Sequence, residues 1–384
     1  MSRDPSASPP RLPSLTGMRF FAALAVFFFH VSLVNSPIPP HGPVNPFADP
    51  DIAAGFERAL RHMGYVGVSF FFILSGFVIT WATGESYSIR RFMWRRLLKI
   101  YPSHAAMWLL ALALFAGAYT SVPTALTNLL LLHPMSPDPG VYVSVNPPSW
   151  SLSCDLLFYL LFPAMIPLVR AIPERRLVLA GALAFLGMLV VVQVTQFVIP
   201  AEPKSPITPI SAMQLWFGYI FPGTRLVEFV LGMIAARIAG AGRWPSIGLL
   251  PIFAALAASY ALSMRLPFLY SFGICYAIPL VALIATLADK DAKGTTPGVL
   301  EGDTMQFLGR VSFGFYLVQG VSIFFVSRWL GGITFGAAGG AAMILGYFAG
   351  TLFLGWVLYR MVEEPAMRLG PARFTGLRRG FGRP

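Results

Sequence analysis

The sequence predicts an all-α, polytopic membrane protein with about ten transmembrane helices and both termini cytoplasmic. Three observations carry this expectation. The 384-residue chain is 56% hydrophobic and only 11% charged, against about 25% charged residues in an ordinary soluble domain. Apolar runs of about 20 residues, the length that crosses a bilayer core, recur along its whole length. The basic residues flank those runs instead of gathering on one face. A net charge of +12 distributed in this way belongs to membrane topology, so the expected partner is a lipid bilayer and not nucleic acid.

Residues 1–17 are polar and rich in Pro and Ser and are expected to be a disordered cytoplasmic N-terminus. No small-x-small cleavage site follows the first apolar run, which is therefore read as a retained span. Spans are expected at 19–35, 64–83, 101–120, 151–169, 177–199, 214–238, 247–264, 267–288, 307–330 and 334–359. The second holds Gly64, Gly67 and Gly76, which suit close helix approach. The third opens at Tyr101-Pro102, behind a basic cluster. The seventh and eighth are split only by Arg265 and Pro267, whereas ALTNLLLL, residues 125–132, is too short to span. The segments 36–63 and 133–150 are Pro-rich loops, and the second is placed to cover the mouth of a site. A transmembrane domain over 18–360 is followed by a basic cytoplasmic tail, 361–384, suited to anionic headgroups. With the N-terminus inside, 22 of the 28 Lys and Arg residues fall on the cytoplasmic side and five outside, with Arg225 within a span. That bias places the protein in the cell membrane with both termini cytoplasmic.

Within the first span, GMRFFAALAVFFFHVS carries Arg19 and His30 eleven residues apart. Eleven residues advance about 1,100°, roughly 20° past three full turns, and about 16 Å along the axis. Both side chains therefore share one face. An arginine at a span boundary is commonly a topology anchor, but an imidazole within a span faces the bundle interior and is a functional candidate. It can take the proton of an alcohol attacking an acyl carbon, or equally relay protons in a transporter.

Three further segments bear chemistry. IRRFMWRRLLKIYP, 89–102, places Arg95, Arg96 and Lys99 within helical reach of one another as phosphate ligands, or as an anchor on headgroups. PPSWSLSCDLLFYLLFP, 147–163, holds Asp155 near the outer end of its span, with Ser151 on the same face. Asp155 is expected at a depth where it can orient the His30 imidazole. Ser153 and Tyr159 are candidate supporting residues on the same span. GTRLVEFVLGM, 223–233, pairs Arg225 with Glu228 at i,i+3; a structural ion pair is favoured, with a supporting role at the site as the alternative. Cys154 reads as a small packing residue. The sequence contains no phosphate-binding or dinucleotide motif, no metal-ligand cluster and no disulfide framework.

These segments, in this order, resemble the acyltransferase-3 family of integral membrane O-acyltransferases over nearly the whole chain. LTGMRFFAALAVFFFH matches the family's Arg-x10-His first helix, and GVSFFFILSGFVIT its second-span pattern. RRFMWRRLLKIYP, PPSWSLSCDLLFYLLFP, RLVEFVLGM and LGRVSFGFYLVQ match further motifs. Ser69 stands where the family usually has Asp, Asp155 where it has Glu, Lys99 where it has Arg, and Gln319 where it has His. The resemblance implies transfer of an acyl group from acyl-CoA, acetyl-CoA or another short chain, to a hydroxyl of a small-molecule or glycan acceptor. No cofactor is held permanently. His30 would be the general base and Asp155 its support, with Arg19, Arg95, Arg96 and Lys99 on the donor phosphates. The wording SLTGMRF and the lack of an appended domain resemble the branch that acylates macrolides. A transporter or flippase with an intramembrane proton relay is the competing expectation, and a homodimer is left open.

Overall fold

Pro13 opens the first helix, where its fixed φ suits the start and its missing N–H leaves no donor unpaired. The computed structural model describes residues 10–39, 41–84, 87–205 and 208–369. Most of the expected N-terminal arm and of the basic tail, 1–9 and 370–384, lies outside the described residues. Helix α1 runs Pro13–Ser32. The Ser14 backbone N–H and Oγ both donate to Asp291 Oδ2, at 3.2 and 2.7 Å. Residues 13–17, expected to be disordered, are thus helical and anchored, and Arg19 lies in the second turn of α1.

The remaining long helices are α2 (Met63–Ala82), α3 (Ile89–Leu114), α4 (Trp150–Ala171), α5 (Leu177–Phe197) and α6 (Pro222–Gly240). They are followed by α7 (Leu249–Ser263), α8 (Ile274–Lys293), α9 (Asp303–Leu317) and α10 (Ala337–Leu358). Among the described residues there are no strands, only isolated bridges at Phe47–Phe335 and Lys204–Ser211. The basic cluster and the third span form one continuous helix, capped at its start by Ser88 Oγ accepting from Arg91 N–H. Past α10 the chain passes through a widened turn, Tyr359–Glu363, and stays helical to residue 369. The start of the expected tail therefore belongs to the helical body.

The ten expected spans correspond to these ten helices with two differences. Eight helical segments among the described residues are long and apolar enough to cross a membrane. The ninth span is bent by 53° between Asp303–Leu317 and Gly320–Trp329, with a widened turn over Gly320–Phe325 at the break. The seventh, α7, is an apolar helix of only 15 residues, short of the roughly 20 that a span needs. The sequence separated α7 from α8 correctly but could not show that Met264 ends α7 so early.

Helices α1, α2, α6 and α9 form the centre. Of the 20 residues of α2, 13 are buried, whereas only four of the 21 of α5 are, so α2 is core and α5 is rim. Exposed Leu183 on α5 and Leu345 on α10 face outward, as lipid-facing residues do. The closest approach joins α2 to α6. A Cβ at Gly76 would collide with the Phe229 carbonyl, and one at Gly232 with the Ile73 carbonyl. Glycines at both contact points let the backbones touch, the standard device where apolar burial cannot drive helices together.

At the end opposite the basic cluster, residues 133–150 pack onto the bundle. Asn146 Nδ2 donates to the Leu317 carbonyl at 3.0 Å, and Tyr316 Oη to the Pro148 carbonyl at 2.9 Å. Asn128 Nδ2 donates to the Ser144 carbonyl at 2.8 Å. Burial, with His104 as a second influence, lowers His133 from its ordinary 6.5 to about 3. A neutral His133 ring beside Ser149, at 3.3 Å, is therefore part of the packing.

Candidate active site

A cavity of about 830 Å³ penetrates the bundle from the basic end. Its outer wall includes the exposed Arg95, Met367 and Arg368. Its inner wall includes Ser151, Leu152 and Tyr316, all buried. Helix α1 contributes Arg19, α3 contributes Arg95, Arg96 and Lys99, and α4 contributes Ser151, Asp155 and Tyr159. Seven of the residues singled out in the sequence thus converge on one space, because α1, α3 and α4 each turn a polar face towards it.

The cations are held in different ways. The Arg96 guanidinium lies over the Phe92 and Tyr159 rings, 5.4 and 5.3 Å from their centroids. Such stacking fixes the planar group and leaves its edge for an anion. Lys99 pairs with Glu363 and also sits 5.0 Å from the Phe313 centroid. Arg368 is engaged by Glu364 at 2.7 Å. Arg19 forms no salt bridge among the described residues; its charged neighbours include Arg96, Glu363 and Asp155. Asp155 is hydrogen-bonded to Ser75 and faces Arg96 and Arg19.

The structure does not pair His30 with Asp155. Asp155 occupies the arginine-lined cavity, whereas the His30 ring packs against Phe324, 5.1 Å between centroids, and its Nδ1 lies 2.6 Å from Gln319 Oε1. The fully buried Gln319 uses its amide N–H to approach the Ala23 carbonyl, at 3.5 Å. With the amide oriented in that way, Nδ1 of His30 carries the proton and Nε2 keeps its lone pair. Gln319 follows Tyr316 by one helical turn, so His30 stands just beyond the inner end of the cavity. The expected shared depth fails for a simple reason. The fourth helix starts at Trp150 and runs towards the basic end, carrying Asp155 more than a turn away from the level of Pro148 and Tyr316.

Among the supporting candidates, Ser151 Oγ is 2.7 Å from Tyr316 Oη and lies on the cavity wall. Ser153 is buried away from the cavity, with no hydrogen bond from its Oγ among the described residues. Arg225 and Glu228 pair at 2.8 Å, also outside the cavity wall. Arg225 donates to the Phe272 carbonyl at 2.6 Å and to Ser69 Oγ at 3.2 Å, so this pair ties α6 to α2. Removing one partner of such a buried pair costs about 3–5 kcal/mol. Cys154 is fully buried, with its Sγ near the Trp150 and Ile220 carbonyls. Sequence reasoning missed Ser75, Glu363 and Tyr316 as cavity residues, and it registered Gln319 only as a departure from a motif. The signal for Gln319 was present: its motif was already aligned, and a histidine or an amide there can both meet an imidazole.

The acyltransferase-3 profile, described as an acyltransferase domain, matches residues 12–360. The chain belongs to the acyltransferase-3 family. It is 37% identical to acyltransferase MdmB of Streptomyces mycarofaciens over 94% of each chain. It is 28% identical to the exopolysaccharide production protein ExoZ of Rhizobium meliloti, over 83% of this chain and 94% of that one. It is 25% identical to the peptidoglycan O-acetyltransferase OatA of Listeria monocytogenes, over 83% of this chain and 50% of that one. No solved structure matches. The cavity described above is therefore that of an acyltransferase-3 membrane O-acyltransferase.

Proposed function

We propose that this acyltransferase-3 member moves a short acyl group from acyl-CoA to a hydroxyl of a macrolide or another glycosylated acceptor, with His30 as general base. The observation that carries the reading is the cavity itself: a cationic mouth and an apolar interior lead to within one helical turn of an imidazole whose Nε2 is free to accept. The donor enters at the basic end, and the distribution of Lys and Arg supports a cytoplasmic position for that end. Arg19, Arg95 and Arg96 neutralise its phosphates, and a diphosphate suits the planar guanidinium fork. Lys99 joins them on release from Glu363. Phe71, Phe72 and Val68 line the interior and exclude water around the thioester arm.

At the inner end, His30 Nε2 takes the acceptor hydroxyl proton as its oxygen bonds to the acyl carbon. The C–S bond then breaks, the electron pair leaves on sulfur as coenzyme A thiolate, and that thiolate is protonated. Gln319 holds the imidazole throughout, and Asp155 holds Arg96 and Arg19 along the path of the arm. The name of MdmB, an acyltransferase 37% identical over almost the full length, supports the reaction class. The SLTGMRF wording supports a macrolide acceptor.

The test is direct. Purified protein is incubated with isotope-labelled acetyl-CoA and a panel of macrolides bearing free hydroxyls, and the products are weighed by mass spectrometry. One acceptor is expected to gain a labelled acetyl mass. His30→Ala is expected to lose at least about 10²-fold in rate, the scale of general-base catalysis, while keeping the elution profile of the folded protein. Unmodified acceptors throughout, or full transfer by His30→Ala, would overturn the donor assignment or the base assignment respectively.

A further inference from the structure

A second, smaller cavity of about 320 Å³ adjoins the first, and Arg19 and Val78 form part of the wall of both. Its size falls within the range of ligand pockets, about 300–1,000 Å³. It lies where the segment entering α1 passes the end of α2. Trp81 and Arg11 face it, together with Leu12 and Leu15. The indole is held in place from two sides. Its ring is stacked on Phe77, 15° from parallel with centroids 5.8 Å apart, and its Nε1–H donates to the Pro10 carbonyl at 3.2 Å. The charge pattern differs from that of the larger cavity. There, carboxylates stand among the cations: Lys99 is paired with Glu363 and Arg368 with Glu364. Among the described residues, the wall of the smaller chamber holds two arginines, an aromatic plate and no acidic residue.

We propose that the smaller chamber receives the adenine nucleotide end of the donor, an inference that rests on the acyl-CoA reading above. The purine ring lies against Trp81, since base–aromatic contact needs a π-face more than particular hydrogen bonds. The phosphates lie between Arg11 and Arg19, as anions suit guanidinium groups that form no direct salt bridge among the described residues. The arm then turns at Arg19 into the larger cavity and runs towards Tyr316. Arg19 therefore stands at the elbow of the bound donor, with the nucleotide on one side and the thioester on the other.

Binding experiments on the full-length protein in lipid nanodiscs separate the two halves without any acceptor. The probes are coenzyme A, adenosine 3′,5′-bisphosphate and pantetheine, each titrated by calorimetry. In the wild type, coenzyme A binds and the bisphosphate competes with it. Trp81→Ala and Arg11→Gln are each expected to weaken coenzyme A and the bisphosphate by about tenfold, the effect of losing one stacking or ionic contact. Both are expected to leave pantetheine binding unchanged, and Trp81→Phe to retain most of the affinity. Arg11 is exposed, so its substitution does not disturb the core if Trp81→Ala fails to fold. Wild-type affinity of both variants for coenzyme A, or an equal loss for pantetheine, overturns this placement and leaves the donor reading intact. No binding of coenzyme A to the wild type overturns both.

Discussion

His30 is held by a neutral amide, and that choice of partner has chemical weight. A carboxylate on Nδ1 both orients an imidazole and stabilises the imidazolium formed when it takes a proton. Gln319 Oε1, 2.6 Å away, supplies the orientation without the charge. In the proposed reaction the amide therefore sets the direction of the ring and does not offset a charge on it. Gln319→Leu keeps the side-chain volume but lets the ring turn; the expected result is a loss in kcat of about tenfold or more with little change in donor KM, read from initial rates. The carboxylate that sequence reasoning assigned to His30 faces Arg96 and Arg19. Asp155→Asn keeps the shape of the cavity but removes the counter-charge facing Arg96 and Arg19. Its expected effect is a rise in donor KM, with Asp155→Glu close to wild type. A change confined to kcat in Asp155→Asn would return Asp155 to the chemistry.

At the scale of the helices, the contact between α2 and α6 is the most sensitive joint. Gly76 and Gly232 lie against the opposing backbone from both sides, so neither α2 nor α6 can yield without separating from the other. Gly232→Val is expected to lower the melting temperature in detergent sharply, since overpacking a tight contact typically costs 1–3 kcal/mol. Gly55→Val, in open space on the short helix Pro50–Leu60, is expected to leave it nearly unchanged. The importance of Gly76 for close approach was legible in the sequence, and so was the shared face of Arg19 and His30, because both follow from helical periodicity. The partner of Gly76 was not, since Gly232 stands 156 residues away and no local pattern links them. The same holds for Gln319, 289 residues from His30. Helix starts were misjudged where polar residues open an apolar helix: Pro13 begins α1 and Ile89 begins α3, well before hydropathy rises.

For the molecule as a whole, the cavity is asymmetric. Its cationic mouth lies at one end, and the packed 133–150 segment closes the other. The excess of basic residues at the mouth predicts its orientation. A cysteine introduced at exposed Arg95 is expected to react with a membrane-impermeant maleimide only after cells are opened, and one at exposed Asp138 in intact cells. The reverse pattern would place the donor end outside. All-α architecture and multiple spans were evident from composition and run length alone. The number of full-length spans was not, because hydropathy measures apolar stretch and is blind to where a helix stops or bends.

The shortness of α7 bears on the surrounding lipid. Fifteen residues reach about 22 Å, against a hydrocarbon thickness of about 30 Å. Leu250 and Leu262, near its two ends, are both exposed, so acyl chains meet α7 directly. A bilayer crossed by α7 would have to thin beside it, at a cost of fractions of a kcal/mol per ångström of mismatch. Membranes built from shorter-chain phospholipids fit this flank with less distortion than thicker ones.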